Sequence, residues 1–127
     1  MSDSNFNALI KEAMKHLGIP YVFGGTSPQT GFDCSGFVSW CINHSGVGNV
    51  GRLTANGLLG HCKRVSKSDA KPGDLIFFQG TYNTAGASHV GIYMGNGQMI
   101  HAGKPVQITS TETSYYQKHF LGFGRLP

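Results

Sequence analysis

Three residues of this chain could carry acyl-transfer chemistry together: Cys34, His89 and His101. A thiol nucleophile needs a base that takes its proton and a third group that orients the base, and imidazoles commonly serve as such partners. Cys34 stands in Gly31-Phe32-Asp33-Cys34-Ser35-Gly36-Phe37-Val38-Ser39-Trp40, followed by Cys41 and Ile42. The apolar set Phe37, Val38, Trp40, Cys41 and Ile42 reads as one face of a helix. Asp33 is a candidate N-cap, because its carboxylate can accept from free amides of the first turn. Cys34 then falls in that turn, where unpaired N–H groups and the helix dipole favour thiolate over thiol. Small Ser35 and Gly36 let another chain come close to the sulfur. The competing reading of this stretch alone is a buried structural cysteine.

The two histidines depend on how their strands pair. His89–Met94 and Gln98–Ala102 are predicted strands around Gly95-Asn96-Gly97, a strong hairpin signal. If only Asn96-Gly97 forms the turn, His101 falls opposite Ile92 and points away from His89. With a three-residue loop, Gly95-Asn96-Gly97, His101 falls opposite Gly91, and His89, Tyr93, Met99 and His101 share a face. The second register is expected, since glycine at position 91 leaves room for the opposite ring. Val90, Ile92, Ile100 and Ala102 then form an apolar face for the core. In this scheme Cys34 attacks, His89 moves the proton and His101 fixes the tautomer of His89.

The remaining elements follow from pattern. Phe6, Leu9, Ile10, Ala13, Met14 and Leu17 have helical spacing and predict a helix over 4–17, with Ser4 a candidate N-cap. The cysteine helix is predicted over 34–43. Residues 46–71 are broken by glycines, with a short helix expected near 53–59. Leu75–Phe78 reads as a buried strand, and Val106–Ser110 and Phe120–Arg125 as two more. Helices followed by about five antiparallel strands make an α+β domain, taken as one domain over residues 1–127.

These stretches, taken together, resemble a known family. Tyr21-x-x-Gly24-Gly25, Asp33-Cys34-Ser35-Gly36-Phe37, Gly73-Asp74-Leu75-Ile76-Phe77-Phe78, Ser88-His89-Val90-Gly91-Ile92-Tyr93 and Ile100-His101-Ala102 look like successive signatures of NlpC/P60 cysteine peptidases. The likeness is nearest to the endopeptidase domains of phage lysins and conjugative-element wall hydrolases. It implies a papain-like α+β fold and hydrolysis of peptidoglycan stem peptides through a thioester, typically between γ-D-glutamyl and diaminopimelate or lysine. It also implies an oxyanion or substrate contact for Tyr21 and a place for Asp33 in binding a free stem-peptide amine. Ser35 and Ser88, inside the same motifs, join them as substrate-binding candidates. Amidase or acyltransferase chemistry on another wall bond, or a non-catalytic wall-binding module, would use the same scaffold.

Composition narrows the setting. Ten Lys+Arg against six Asp+Glu give +4, with Lys63, Arg64, Lys67 and Lys71 close together. Such a balance favours anionic partners, among them acidic wall polymers, while no nucleic-acid-binding motif is present. No 18-residue apolar run reads as a membrane span. The N-terminus lacks a leader pattern, so the expectation is phage-type release or an excised domain acting at the cell wall as a monomer. Three cysteines cannot all pair, and Cys34 and Cys41 lie two helical turns apart, too far to bridge. Neither C-x2-C nor H-E-x-x-H occurs, so no metal site and no cofactor is expected.

Overall fold

Apolar residues at three-four spacing make α1 (Asp3–Met14), which buries Phe6, Leu9 and Ala13. The computed structural model describes residues 3–127; Met1 and Ser2, where the reading for a leader begins, lie outside them. Helix α1 contains Ser4, which is therefore not its cap, and it ends three residues before Leu17. There the backbone tightens, with Lys15 N–H donating to Glu12 C=O and His16 N–H to Ala13 C=O. A small ribbon of β1 (Thr26–Ser27) and β2 (Gly31–Phe32) leads into α2 (Cys34–Ser45), which ends at Gly46 with φ 87°. Helix α2 is buried on more than the one expected face: Ser35, Gly36 and Ser39 are covered along with Phe37, Val38, Cys41 and Ile42. Thr54 caps the short α3 (Ala55–His61), its hydroxyl accepting from Gly57 N–H.

The sheet has six strands rather than about five. They are β3 (Lys63–Val65), β4 (Leu75–Gln79), β5 (Ala87–Gly95), β6 (Gln98–Ala102), β7 (Val106–Ser110) and β8 (Phe120–Arg125). The order is β3-β8-β4-β5-β6-β7, and every neighbouring pair is antiparallel. Strand β8 returns between β3 and β4, so the local meander is closed by a long-range pairing. A further helix, α4 (Ser114–His119), capped by Thr113, stands before β8. Leu75, Phe77, Val90, Ile92, Ile100 and Ala102 pack with α1 and α2 in the main core. The alternate residues Ile76, Phe78, Met99 and Phe123 form a second cluster with Tyr116 of α4. This α+β arrangement gives the sheet two covered faces, and the histidines belong to the second.

The hairpin reaches the expected register by another route. Ile92 faces Ile100 and Tyr93 faces Met99, which continues to Gly91 opposite His101, yet Gly95 faces Gln98 across a two-residue turn. The turn is Asn96-Gly97, with φ of 54° and 72°, both left-handed as the favoured hairpin turn requires. The ladder shifts by one between Tyr93 and Gly95. That bulge, not a three-residue loop, restores the parity that puts His89 and His101 on one side.

Candidate active site

Asp33 caps α2 as its sequence context predicts: Oδ1 accepts from Gly36 N–H at 2.7 Å. The same carboxylate pairs with Arg52, whose Nη2 lies 2.9 Å from Oδ1 and 2.8 Å from Oδ2. Gly24 N–H donates to Oδ2 at 3.2 Å, tying the loop before α2 to its cap. Arg52 Nη1 also donates to the Ser35 hydroxyl at 2.8 Å and to Leu53 C=O at 2.7 Å. One guanidinium thus clamps both residues that flank Cys34. Sequence reasoning missed Arg52 because residues 46–71 have no periodicity to place it.

Cys34 is 8% exposed, with its sulfur 3.8 Å from the carbonyl oxygen of Ser88, the residue before His89. It opens onto a cavity of about 750 Å3 that Tyr21, Asp33, Ser35, Arg52, Ser88 and His89 also line. The expectation of a favoured thiolate needs correction. Burial and the neighbouring Asp33 carboxylate push the Cys34 thiol up from its ordinary value, outweighing the backbone amides and the Arg52 cation that pull it down. The resting group is therefore favoured as the thiol.

His89 and His101 meet edge to face, with His89 Nε2 2.8 Å from His101 Nδ1. Behind them, His101 Nε2 is 2.9 Å from Thr109 Oγ1, and the Thr109 hydroxyl donates to Gln107 Oε1 at 3.5 Å. In one of the two tautomer patterns these contacts allow, Thr109 Oγ1 accepts from His101 Nε2–H and His101 Nδ1 accepts from His89 Nε2–H. In that pattern the lone pair of His89 is on Nδ1, and the His89 ring lines the cavity onto which Cys34 opens. Burial holds both imidazoles well below the ordinary histidine value, and His101 adds to the effect on His89. Both are therefore neutral at neutral pH. Alternation along Val106–Ser110 puts Gln107 and Thr109 on one face, a signal available in the sequence, but their pairing with β6 is not.

The other candidates occupy distinct places. Tyr21 lines the cavity, and burial together with nearby Cys34 and Asp33 raises its phenol, which keeps the O–H as a donor. The Ser88 hydroxyl is taken up by the β4–β5 loop, 2.6 Å from Thr81 Oγ1 and 3.0 Å from Thr81 N. Its structural task is to hold that loop. Cys41 is buried in the core, and Cys62 packs near Gly124 of β8 with its thiol pushed up to about 12 by burial and Asp74. All three cysteines are free. Among the described residues no group of three or more His, Cys, Asp or Glu is gathered that could hold a metal, and no helix is long and apolar enough to cross a membrane.

A cysteine at a helix start, set against an antiparallel sheet that presents paired imidazoles, defines a papain-like α+β protein. The NlpC/P60 family model matches residues 18–125, and the chain belongs to that family. It is 41% identical over 122 residues to the bifunctional muramidase/DL-endopeptidase CwlT of Bacillus subtilis, covering 95% of this chain and 36% of that protein. It is 39% identical over 122 residues to the murein DD-endopeptidase MepH of Escherichia coli, covering 92% of this chain and 44% of that one. A crystal structure of an NLP/P60 family protein from Staphylococcus aureus superposes with a TM-score of 0.92 at 37% identity, over 99% of this chain and 42% of the other. The chain thus spans less than half the length of each of these proteins.

Proposed function

We propose that this chain is the catalytic unit of a cell-wall cysteine peptidase. It hydrolyses peptidoglycan stem peptides at the bond from γ-D-glutamyl to diaminopimelate or lysine. The observation that carries the reading is the ordered chain from Thr109 through His101 to His89, ending in a basic nitrogen beside the cavity that holds Cys34. Relatives named DL-endopeptidase and gamma-DL-glutamyl hydrolase support the bond chosen.

In this reading His89 Nδ1 takes the Cys34 proton as sulfur attacks the γ-carbonyl carbon. The C=O electrons move to oxygen, and the Cys34 N–H at the helix start and the Tyr21 O–H stabilise that oxyanion. Collapse expels the amine, which receives the proton from His89, and leaves a thioester. Water, deprotonated by the same nitrogen, then releases the acid and restores the thiol. Asp33 and Ser35 hold the nucleophile's turn through Arg52; a substrate ammonium approaching Asp33 shares its carboxylate with that guanidinium. The unit works at the wall as a monomer and needs no cofactor.

The test is mass spectrometry of fragments released from a purified wall of known chemistry. Cys34→Ala and His89→Ala should abolish release while melting as cooperatively as wild type, and His101→Ala should cost less. Fragment release by Cys34→Ala at the wild-type rate overturns the reading.

A further inference from the structure

A second concavity, larger than the one at Cys34, lies away from it. It measures about 930 Å3 and lies along the β3 edge of the sheet, where His61, Lys63, Arg64 and Lys71 line it. Asp69 also lines the groove, its carboxylate accepting from the Ser66 hydroxyl, and the Asp74 carboxylate is buried on Arg125; neither pairs with Lys63, Arg64 or Lys71. Lys67 flanks the groove, reaching Gln117 and the Phe120 ring. Lys63, Arg64 and Lys71 make no salt bridge among the described residues, whereas Arg52 and Lys15 each do. Three basic side chains without an ion pair thus meet in a groove that shares no lining residue with the cavity at Cys34.

We propose that this groove binds a phosphodiester polymer of the cell wall, of the teichoic-acid type. The inference rests on the wall as the place of action, as in the reading above. Three features favour that occupant. Lys63 and Arg64 stand on an edge strand whose outer N–H groups are not paired in the sheet, with Lys71 across the groove, so backbone donors can add to side-chain charge at a phosphate. The groove is open, bordered by residues 66–71 and 125–127, rather than closed around a small molecule. Helix α3 joins it to the catalytic cavity: Ala55 and Asn56 line the cavity, and His61 at the other end lines the groove. Seven residues of helix span about 10 Å, so a polymer held there keeps the cavity next to the wall's peptides. Basic residues on an edge strand also discourage edge-to-edge pairing, and the experiment separates the two roles.

The full chain is compared with Lys63→Glu/Lys71→Glu, with Lys63→Gln/Lys71→Gln as a milder pair. Lys11→Glu/Lys118→Glu serves as a control with the same change in net charge. Co-sedimentation is measured on walls carrying the phosphate polymer and on walls from which it has been removed, and hydrolysis is followed on a soluble stem peptide. Wild type should bind the polymer-bearing walls about tenfold better at low salt and lose that advantage as salt rises. The groove variants should lose it in the order Gln then Glu, while the control keeps it and all four proteins cleave the soluble peptide alike. Equal losses in groove and control variants, equal binding to stripped walls, or displacement by duplex DNA or anionic vesicles at lower concentration than by soluble polymer would each overturn the proposal. Failure of wild type to cleave the soluble peptide counts against the catalytic reading and leaves the binding comparison standing.

Discussion

A neutral imidazole serves a thiol only if its lone pair faces that thiol, and in the proposed mechanism the tautomer of His89 depends on a hydroxyl two residues along the hydrogen-bonded chain. His89 can act as a base through Nδ1 only if His101 donates Nε2–H to Thr109, whose hydroxyl stands 2.9 Å away. Thr109→Val removes the acceptor and lets His101 take either tautomer. Its expected cost is about tenfold in kcat with KM unchanged, a small part of the roughly 10²–10⁴ that positioned acid–base groups supply. Thr109→Ser should restore the rate, since it returns the hydroxyl and removes only a methyl. Wild-type kcat in the valine variant would remove Thr109 from the proton chain. The same residues set the acid limb of activity. Because burial holds His89 well below the ordinary histidine value of 6.5, the base stays unprotonated as pH falls past 6.5. A rate profile measured on a soluble peptide should therefore keep its activity through pH 6; a limb centred at 6.5 or above would contradict the buried pair.

At the scale of elements, what decides the site is a parity. Alternation and the Asn96-Gly97 turn were legible, and so was the space at Gly91, where an added Cβ would meet Met99 Sδ at 3.0 Å and His101 Cβ at 3.2 Å. The bulge between Tyr93 and Gly95 was not legible, because nothing in Tyr93-Met94-Gly95 marks one residue as the unpaired one. Gly91→Ala should therefore displace the His101 strand by a few tenths of an ångström. The expected result is a larger fall in kcat than in melting temperature, and a variant that loses stability with kcat intact would show that the strand, not the ring, absorbs the contact. Local signals also gave α1, α2 with its Asp33 cap, and the strands at 75–78, 98–102, 106–110 and 120–125. Their failures share a cause. Strand β3 is three residues long and exists through pairing with β8, some sixty residues on. Helix α4 is six residues long and is held by Tyr116 packing on Phe78. Arg52 finds Asp33 across a stretch with no pattern of its own. Contacts of that range leave no trace in a sequence window.

Across the whole molecule, the last strand is fastened to the middle of the chain by a buried carboxylate. Asp74 is fully buried, accepts from Arg125 Nε and Nη2 at 2.8 Å each, and accepts from Lys71 N–H at 2.8 Å. It thereby joins the turn before β4 to the last strand. Asp74→Ala leaves Arg125 and that amide without their partner, and should cost about 3 kcal/mol, seen as a melting temperature lower by about 10 °C; a shift under 2 °C would make the pair dispensable. The active site also enters the global balance, with the opposite dependence on its surroundings. Both imidazoles are held below 6.5 by burial, so between 6.5 and about 4 the unfolded chain binds protons that the folded chain refuses. Stability must then fall as pH drops through that window, and the loss is absent above it. His101→Gln removes one of the two titrating rings while keeping an amide that can accept from His89. Denaturant midpoints taken from pH 8 to pH 4.5 should therefore fall less steeply in the variant than in wild type, and the two curves should run parallel above pH 7. Identical slopes across the acid window would mean that the rings are solvated and that the proton chain behind Cys34 is not the buried one described.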